Sequence, residues 1–131
     1  MKYQKGIEGL KESDLRDLWY SVDWVHMDTT YWSKLLNALG NSDVIVAYDE
    51  DNHVAGLISS LNDGLNVWIS YLAVRKDLHG KGIGTQLISM LIKDMHECCG
   101  EDTSFWVCTT HAKGFYVSRG LTETMNACVL R

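Results

Sequence analysis

The sequence contains no proline, and it has no long run of apolar residues. A helix that crosses a membrane needs about 20 consecutive apolar residues, and the opening segment MKYQKGIEGLKESDL lacks the apolar core of a secretory signal. We therefore expect a cytoplasmic protein that does not bind membranes. Cysteine is sparse and forms no CxxC pair, which favours reduced thiols and predicts neither a disulfide framework nor a metal site; the cysteines are Cys98, Cys99, Cys108 and Cys128.

Basic residues are outnumbered by acidic ones. The chain has 12 Lys and Arg against 17 Asp and Glu, which gives a formal net charge of −5. Such a charge repels nucleic acid, so we expect no nucleic-acid partner, and it favours cationic ligands. The length of 131 residues, with 46% hydrophobic residues, is that of one globular domain. Since no repeat, linker or low-complexity segment interrupts the chain, residues 1–131 are predicted to form a single domain.

Two amphipathic helices are predicted near the start of the chain. Ser13 is the expected N-cap of the first, which carries Leu15, Leu18, Trp19 and Val22 at helical spacing. The second is expected at residues 28–38 and is ended by Gly40. Its apolar side comprises Tyr31, Trp32, Leu35, Leu36 and Leu39.

The middle of the chain predicts an antiparallel meander. Residues 44–48 and 54–61 are rich in strand-forming residues and are separated by the turn-prone EDNH, and the segment NDG marks a second hairpin. The third strand, residues 67–74, is apolar at both alternating sets of positions, so we expect it to be central and covered on both sides. One set comprises Val67, Ile69, Tyr71 and Ala73, and the other comprises Trp68, Leu72 and Val74.

A longer helix is predicted at residues 82–98, because apolar residues recur there at three- and four-residue intervals. A strand at residues 104–109, a short helix at residues 112–119 and a last strand within residues 122–130 follow. With a strand expected first, the order is β, α, α, β, β, β, α, β, α, β. This order predicts an α/β fold with a mixed, mainly antiparallel sheet and helices on both faces.

The loop HGKGIG, between the third strand and the longer helix, has glycine at every second position. It lacks the GxxxxGK pattern of a P-loop, and neither register of GxGxxG fits, because Thr85 or Leu87 stands where the last glycine belongs. It keeps the feature that both motifs share, which is a glycine-rich turn with accessible N–H groups at the N-terminus of a helix. The loop is therefore predicted to bind phosphate.

The segment LAVRKDLHGKGIGTQL resembles the central motif of the GNAT superfamily of acetyl-CoA-dependent N-acetyltransferases. Gly82 and Gly84 match the two glycines of that motif, residues 72–74 match the end of its strand, and Thr85 opens its helix. His79 departs from the Gln or Arg that is usual at the first polar position.

A second segment resembles another motif of the same family. Ala112, the pair Phe115-Tyr116 and the pair Gly120-Leu121 follow its spacing, with Leu121 in place of Phe. With both motifs in this order after a meander, the chain is identified as a member of the superfamily. The resemblance implies its acyl-CoA N-acyltransferase fold.

The resemblance implies acetyl-CoA as the cofactor, with CoA as the product. The pantetheine arm would pair with the strand-end backbone, and the pyrophosphate would lie over the loop, where a side chain at Gly82 or Gly84 would obstruct it. The implied cofactor-binding residues are Leu72, Ala73, Val74, His79, Gly80, Lys81, Gly82, Ile83, Gly84 and Thr85. Candidates for the remaining cofactor phosphate are Arg75, Lys76, Lys81, Lys113 and Arg119.

For catalysis, the resemblance implies direct attack of an amine on acetyl-CoA in a ternary complex. Tyr116 resembles the tyrosine that protonates the departing thiolate, and a phenol with an ordinary pKa of about 10 is protonated at neutral pH. A backbone N–H near the strand end would stabilise the oxyanion.

The general base is less clearly marked. Many relatives carry a carboxylate on the central strand, where this chain has Ser70 and Tyr71. His26 is the candidate base, because its ordinary pKa lies near 6.5. Asp28 and His111 are further candidates, and Asp28 could equally cap a helix.

The acceptor is expected to be a small cationic amine. In the family, the segment between the first two helices walls the acceptor site, and here that segment is acidic and aromatic. Its residues are Asp23, Trp24, His26, Asp28, Tyr31 and Trp32. Two alternatives stay open, namely acetylation of a protein lysine or N-terminus, and a non-catalytic acyl-CoA-binding module. The sequence is also compatible with a homodimer.

Overall fold

Among the described residues, five strands form one sheet, in which they are ordered as they follow each other along the chain. The computed structural model describes residues 1–109 and 112–121. The strands are β1 (Lys2–Lys5), β2 (Asp43–Tyr48), β3 (Val54–Asn62), β4 (Asn66–Val74) and β5 (Ser104–Val107). Neighbours from β1 to β4 are antiparallel, and β5 is parallel to β4. The last predicted strand, within residues 122–130, lies outside the described residues.

The helices are α1 (Glu12–Ser21), α2 (Tyr31–Gly40), α3 (Ile83–Cys99) and α4 (Lys113–Val117). Helices α1 and α2 precede β2, α3 connects β4 to β5, and α4 follows β5. This order and the mixed sheet confirm the predicted fold class. No described helix combines the length and the apolar character that crossing a membrane requires.

Two hydrophobic cores lie on opposite faces of the sheet, because side chains alternate along each strand. On one face, Val44, Val46 and Leu57 pack against the apolar sides of α1 and α2. On the other face, Ile45 and Ile58 pack against α3 and part of α4. Helices therefore cover both faces, as predicted.

Both early helices begin at positions other than the predicted ones. The N-cap of α1 is Lys11 rather than Ser13, because the Lys11 backbone N–H donates to Asp14 Oδ2 at 3.0 Å, as in a capping box. Helix α2 begins at Tyr31 rather than Asp28. The Asp28 carboxylate instead accepts hydrogen bonds from the N–H and the hydroxyl of a threonine two residues later, at 2.9 and 2.8 Å, and so holds a turn in front of α2.

A β-bulge in β4 overturns the predicted assignment of its two faces. Ser59 of β3 pairs with Tyr71, whereas Ser60 pairs with Ile69, so Ser70 is an extra residue in β4. The alternation shifts at this point. Val67, Ile69, Leu72 and Val74 belong to the core beneath α3, whereas Tyr71 and Ala73 pack with α1 and α2.

The prediction that β4 is covered on both sides is also wrong. Trp68 is 53% exposed, and Ser70 is exposed as well. The core formed by α1 and α2 includes Tyr71 and Ala73 near the end of β4 but no residue from its first half. One face of β4 is therefore open to solvent ahead of the bulge.

Candidate active site

Strands β4 and β5 separate next to the bulge. Their last register pair joins Ile69 to Val107, and residues 70–74 continue beside β3 with no partner strand on the other side among the described residues. These residues are called the open segment below. They include residues 72–74, which were expected to pair with a pantetheine arm. A strand without a neighbour can accept an extended ligand as an additional strand.

The open segment leads through the glycine loop to the N-terminus of α3. No side chain caps this end, and the first helical hydrogen bond runs from the Gln86 N–H to the Gly82 carbonyl oxygen. Within the described part of the chain, the N–H groups of residues 83–85 have no acceptor. These donors and the positive end of a 17-residue helix are available to an anion.

Gly82 and Gly84 differ in backbone conformation and in the space around them. Gly82 has a φ of 83°, in the left-handed region, and a Cβ added there would meet no atom within 4 Å. A Cβ added at Gly84 would lie 3.4 Å from Phe115 Cζ and 3.6 Å from Val74 Cγ2. Backbone conformation thus accounts for Gly82, whereas an alanine at Gly84 would meet its neighbours at about van der Waals distance, so only a larger side chain there would be excluded by packing. Obstruction of a pyrophosphate remains a prediction for both.

His79, which departs from the family motif, folds back onto the end of β4. Its Nε2 lies 2.7 Å from the carbonyl oxygen of Val74. Because a carbonyl oxygen only accepts hydrogen bonds, Nε2 carries the proton. The contact ties the glycine loop to the open segment.

Helix α4 brings Tyr116 into the core beneath α3, together with Ile83 and Val74. The Tyr116 side chain is 6% exposed, and burial raises the pKa of Tyr116 to about 12. Desolvation disfavours the phenolate, so the phenol stays protonated across the neutral range. This is the protonation state that the predicted acid role requires.

Arg119 fastens α4 to the first turn of α3. Its guanidinium carbon lies 3.6 Å from the centroid of the Phe115 ring. Its Nε donates to Thr85 Oγ1 at 3.0 Å, and its Nη1 donates to the Phe115 carbonyl oxygen at 2.8 Å. The groups of Arg119 are therefore largely engaged within the protein, which makes it a clamp between helices rather than a ready phosphate ligand.

The other cations predicted to bind the remaining phosphate differ in availability. Arg75 and Lys76 lie 2.9 and 3.9 Å from aspartate oxygens. Lys81 is exposed and forms no ion pair with any described residue. The side chain of Lys113 lies outside the description. Lys81, in the glycine loop, is thus the most available of the described candidates.

The segment between α1 and α2 reaches β4 through aromatic rings. Trp24 and Tyr71 have ring centroids 6.4 Å apart, and Trp19 of α1 lies 5.2 Å from the same tyrosine ring. Trp24 is 38% exposed. One member of the predicted acceptor wall therefore stands beside the bulge, partly open to solvent.

His26 lies against α2. Its ring stacks on Tyr31, with centroids 3.5 Å apart and 4° between the planes, and its other ring contact is with Trp32 at 6.0 Å. Within the described residues, no hydrogen bond or ring contact joins His26 to β4 or α4. The structure therefore does not link His26 to Tyr116 or to the open segment by either kind of contact.

The two further base candidates contribute little. Hydrogen bonds from the Thr30 backbone and hydroxyl lower the pKa of Asp28, so this carboxylate is a weaker base than usual. His111 lies outside the described residues.

A pair of serine hydroxyls at the bulge goes beyond the sequence predictions. Ser59 Oγ lies 2.7 Å from Ser70 Oγ, and Ser59 is completely buried whereas Ser70 is exposed. An alternating pattern does not reveal a bulge, so no signal in the sequence marks this pair. It places a hydroxyl, not a carboxylate, where β4 and β5 separate.

The sequence profile of the acetyltransferase (GNAT) family matches residues 13–121, which is most of the chain. The protein therefore belongs to this family and is an acyltransferase. Membership implies acetyl transfer from acetyl-CoA. A search of curated protein sequences found no match.

Solved structures share the fold along almost the whole chain. A protein from Deinococcus radiodurans R1 is 24% identical with a TM-score of 0.80, over 99% of this chain and 87% of its own. A GNAT-family acetyltransferase from Streptococcus pneumoniae TIGR4 is 24% identical with a TM-score of 0.73, over 99% of this chain and 97% of its own. Glucosamine-6-phosphate N-acetyltransferase from Arabidopsis thaliana is 16% identical with a TM-score of 0.73, over 100% of this chain and 99% of its own. At these identities the likeness establishes the fold and leaves the acceptor open.

Proposed function

We propose that the protein transfers an acetyl group from acetyl-CoA to the amine of a small molecule, by direct attack in a ternary complex. One observation carries this proposal, namely that the open segment of β4 leads into an uncapped helix N-terminus with unbonded N–H donors. A ligand that fits has an extended polar arm followed by a diphosphate. Acetyl-CoA has this arrangement, and it supplies the acetyl group activated as a thioester.

The residues of the chain would bind both substrates and move one proton. The N–H groups of residues 83–85 hold diphosphate oxygens, with the exposed Lys81 beside them. Backbone groups of residues 72–74 pair with the pantetheine arm, and an N–H of the open segment stabilises negative charge on the carbonyl oxygen. As the amine nitrogen bonds to the acetyl carbon and the carbon–sulfur bond breaks, Tyr116 donates a proton to the sulfur and then regains one from solvent.

The proton that the amine loses passes to solvent in this proposal. Ser70 stands where a carboxylate base would be expected, and its hydroxyl bonds only to Ser59 among the described residues. His26, held against Tyr31, would reach the amine only through an intervening water. The reaction therefore depends on a neutral amine supplied by the pH of the solution.

A small cationic acceptor is favoured by the net charge of −5 and by the partly exposed Trp24 beside Tyr71. Aromatic faces attract cations by about 0.5–2 kcal/mol. The negative overall charge raises the local concentration of a protonated amine, which then loses its proton before attack.

An amine panel with isotope-labelled acetyl-CoA tests the proposal. Acetylated products are measured by mass spectrometry, because the free thiols of Cys98 and Cys108 are exposed and would consume the thiol reagents used to detect CoA. Small amines should be acetylated at rates that rise from about pH 6 to about pH 9. If lysine-containing peptides have a kcat/KM more than about tenfold above that of small amines, roughly 1.4 kcal/mol, the result would favour protein acetylation instead. Binding of acetyl-CoA without turnover would indicate a non-catalytic module.

A pair of charge reversals tests the phosphate site. Lys81→Glu places a negative charge beside the proposed diphosphate, so KM for acetyl-CoA should rise about tenfold or more. Lys93→Glu is the matched control. Lys93 is also exposed but lies in α3 away from its N-terminus, and its replacement changes the net charge by the same amount. Equal effects of the two variants would reduce the result to overall charge and contradict the site.

A further inference from the structure

An exposed pair of tryptophans lies on the sheet next to the proposed reaction site. Trp68 of β4 and Trp106 of β5 are register partners, and their rings stack with centroids 5.2 Å apart and 22° between the planes. Trp68 is 53% exposed, and Trp106 is half-buried. This pair is called the tryptophan platform below.

The platform adjoins the point where β4 and β5 separate. Trp68 comes two residues before Ser70, which corresponds to about 7 Å along a strand. Val67 and Ile69 face α3, so the alternation turns Trp68 to the opposite face, the one that carries Tyr71 and the aromatic rings of α1. A ligand on the platform can therefore extend to the open segment without crossing the sheet.

Hydrogen bonds hold the platform in one orientation. The indole Nε1–H of Trp106 donates to Asn66 Oδ1 at 3.1 Å. Asn66 is anchored in turn, because its backbone N–H donates to Asp63 Oδ1 at 2.7 Å and its Nδ2 donates to Asp63 Oδ2 at 3.2 Å. The β3–β4 turn thus fixes the ring of Trp106, on which Trp68 stacks. A preorganised surface loses less conformational entropy when it binds a ligand.

Within residues 1–109 and 112–121, the strand positions around the platform are uncharged. Leu61 pairs with Trp68 from β3, and Asn66 and Ser104 form the preceding pair of the parallel strands. An acceptor that bears a phosphate would need arginine or lysine here. Aromatic faces with apolar and small polar neighbours suit a flat apolar ring instead.

We infer that the acceptor is a small amine that carries an aromatic ring, and that this ring stacks on the tryptophan platform while the amino group reaches the open segment of β4. The inference rests on the proposed acetyl transfer and names the class of its acceptor. It also separates this chain from a sugar phosphate acetyltransferase such as the Arabidopsis thaliana relative.

Rates for three acceptors test the inference: 2-phenylethylamine, n-propylamine and glucosamine 6-phosphate. With kcat/KM calculated on the concentration of the neutral amine, the ring-bearing amine should exceed n-propylamine by about tenfold or more, and the sugar phosphate should be the poorest. Trp68→Ala should bring the two simple amines to within about threefold of each other, whereas Trp68→Phe should keep most of the preference. Leu65→Ala is the matched control. Leu65 is 52% exposed and lies in the turn of the same hairpin, just before β4 and far from the bulge. An unchanged preference in Trp68→Ala, or no preference in the wild type, would overturn the inference.

A binding measurement separates this inference from the proposed activity, and it does not depend on the folding of the alanine variant. The indole N–H NMR signals of Trp68 and Trp106, assigned from Phe variants, should shift when 2-phenylethylamine is added to wild-type protein saturated with CoA. n-Propylamine should shift them much less. Signals that stay in place would overturn the inference even if amines are acetylated. Signals that move only when the protein is diluted would also overturn it, because they would show that a second copy of the chain covers this face. Shifted signals without any acetylation would support the ring site and refute the transferase activity.

Discussion

Arg119 Nε donates a hydrogen bond to the hydroxyl oxygen of Thr85 across 3.0 Å and so joins α4 to the first turn of α3. Tyr116 lies on α4, and the N–H donors of residues 83–85 lie at the start of α3. The contact therefore sets the position of the proposed acid relative to the proposed phosphate site. It couples two motifs that are separate in the sequence.

Replacing Arg119 with lysine keeps the charge but removes the planar group that stacks on Phe115 and bonds to Thr85. We expect kcat to fall about three- to tenfold while KM for acetyl-CoA changes less than about twofold, because the acid is misplaced and the phosphate site is not. Thr85→Val removes the hydroxyl oxygen that accepts the Arg119 hydrogen bond, so its steady-state kinetics should also show a lower kcat with KM for acetyl-CoA nearly unchanged. A rise in KM with kcat unchanged would instead make Arg119 a phosphate ligand.

Tyr116→Phe removes the proposed proton donor and keeps the buried ring. Turnover should fall at least about tenfold under conditions where chemistry limits the rate, with acetyl-CoA affinity unchanged. The measurements are single-turnover rates and calorimetric binding, with a melting curve to confirm the fold. Wild-type turnover in this variant would leave Tyr116 as a core aromatic residue only.

The same variant tests the linkage between Tyr116 and alkaline stability. Burial raises the pKa of Tyr116 to about 12 from the ordinary value of about 10, so the unfolded chain loses this proton first as the pH rises. The stability that the neutral phenol contributes is complete below about pH 10 and is lost between about pH 10 and pH 12. The melting temperature of the wild type should fall more steeply over this range than that of Tyr116→Phe. Parallel curves would contradict the burial of the hydroxyl.

Alanine at the two motif glycines should affect stability differently. Gly82→Ala forces a side chain into the left-handed region, at a cost of about 1–2 kcal/mol. Gly84→Ala adds a methyl group inside α3 at about van der Waals distance from Phe115, and alanine is favoured over glycine within a helix, so the free energy of unfolding should change little. Urea unfolding of the two single variants measures both effects. A loss at Gly84 as large as that at Gly82 would contradict this difference.

The serine pair at the bulge predicts an asymmetry between two alanine variants. Ser70→Ala leaves the buried Ser59 hydroxyl without its partner, which should cost about 1–3 kcal/mol of the unfolding free energy. Ser59→Ala should cost less, because the exposed Ser70 hydroxyl can bond to water. The double variant should be more stable than Ser70→Ala alone in denaturant unfolding. Equal costs for the two single variants would mean that Ser59 is bonded elsewhere.

Local patterns in the sequence predict the order of the elements well. The spacing of apolar residues places α3 within one residue of its observed start at Ile83, and the segment NDG predicts the hairpin in which Asp63 Oδ1 accepts the N–H groups of Leu65 and Asn66. Errors occur at the helix starts, where the choice of cap depends on which side chain reaches the N–H groups. At α1 the Asp14 carboxylate accepts the Lys11 N–H, so the helix begins after Lys11 and Ser13 lies within it.

By itself, the sequence determined the glycine loop, the identity of the family motifs and the succession of strands and helices, because each is recorded in residues that are neighbours in the chain. Only the tertiary structure decided the faces of β4, since the bulge at Ser70 follows from register with β3 and inverts every side chain beyond it. It also decided the exposure of the Trp68 and Trp106 rings and the contact of Arg119 with Thr85. These features join residues that are distant in sequence, so their geometry depends on how strands and helices pack, which no local pattern specifies.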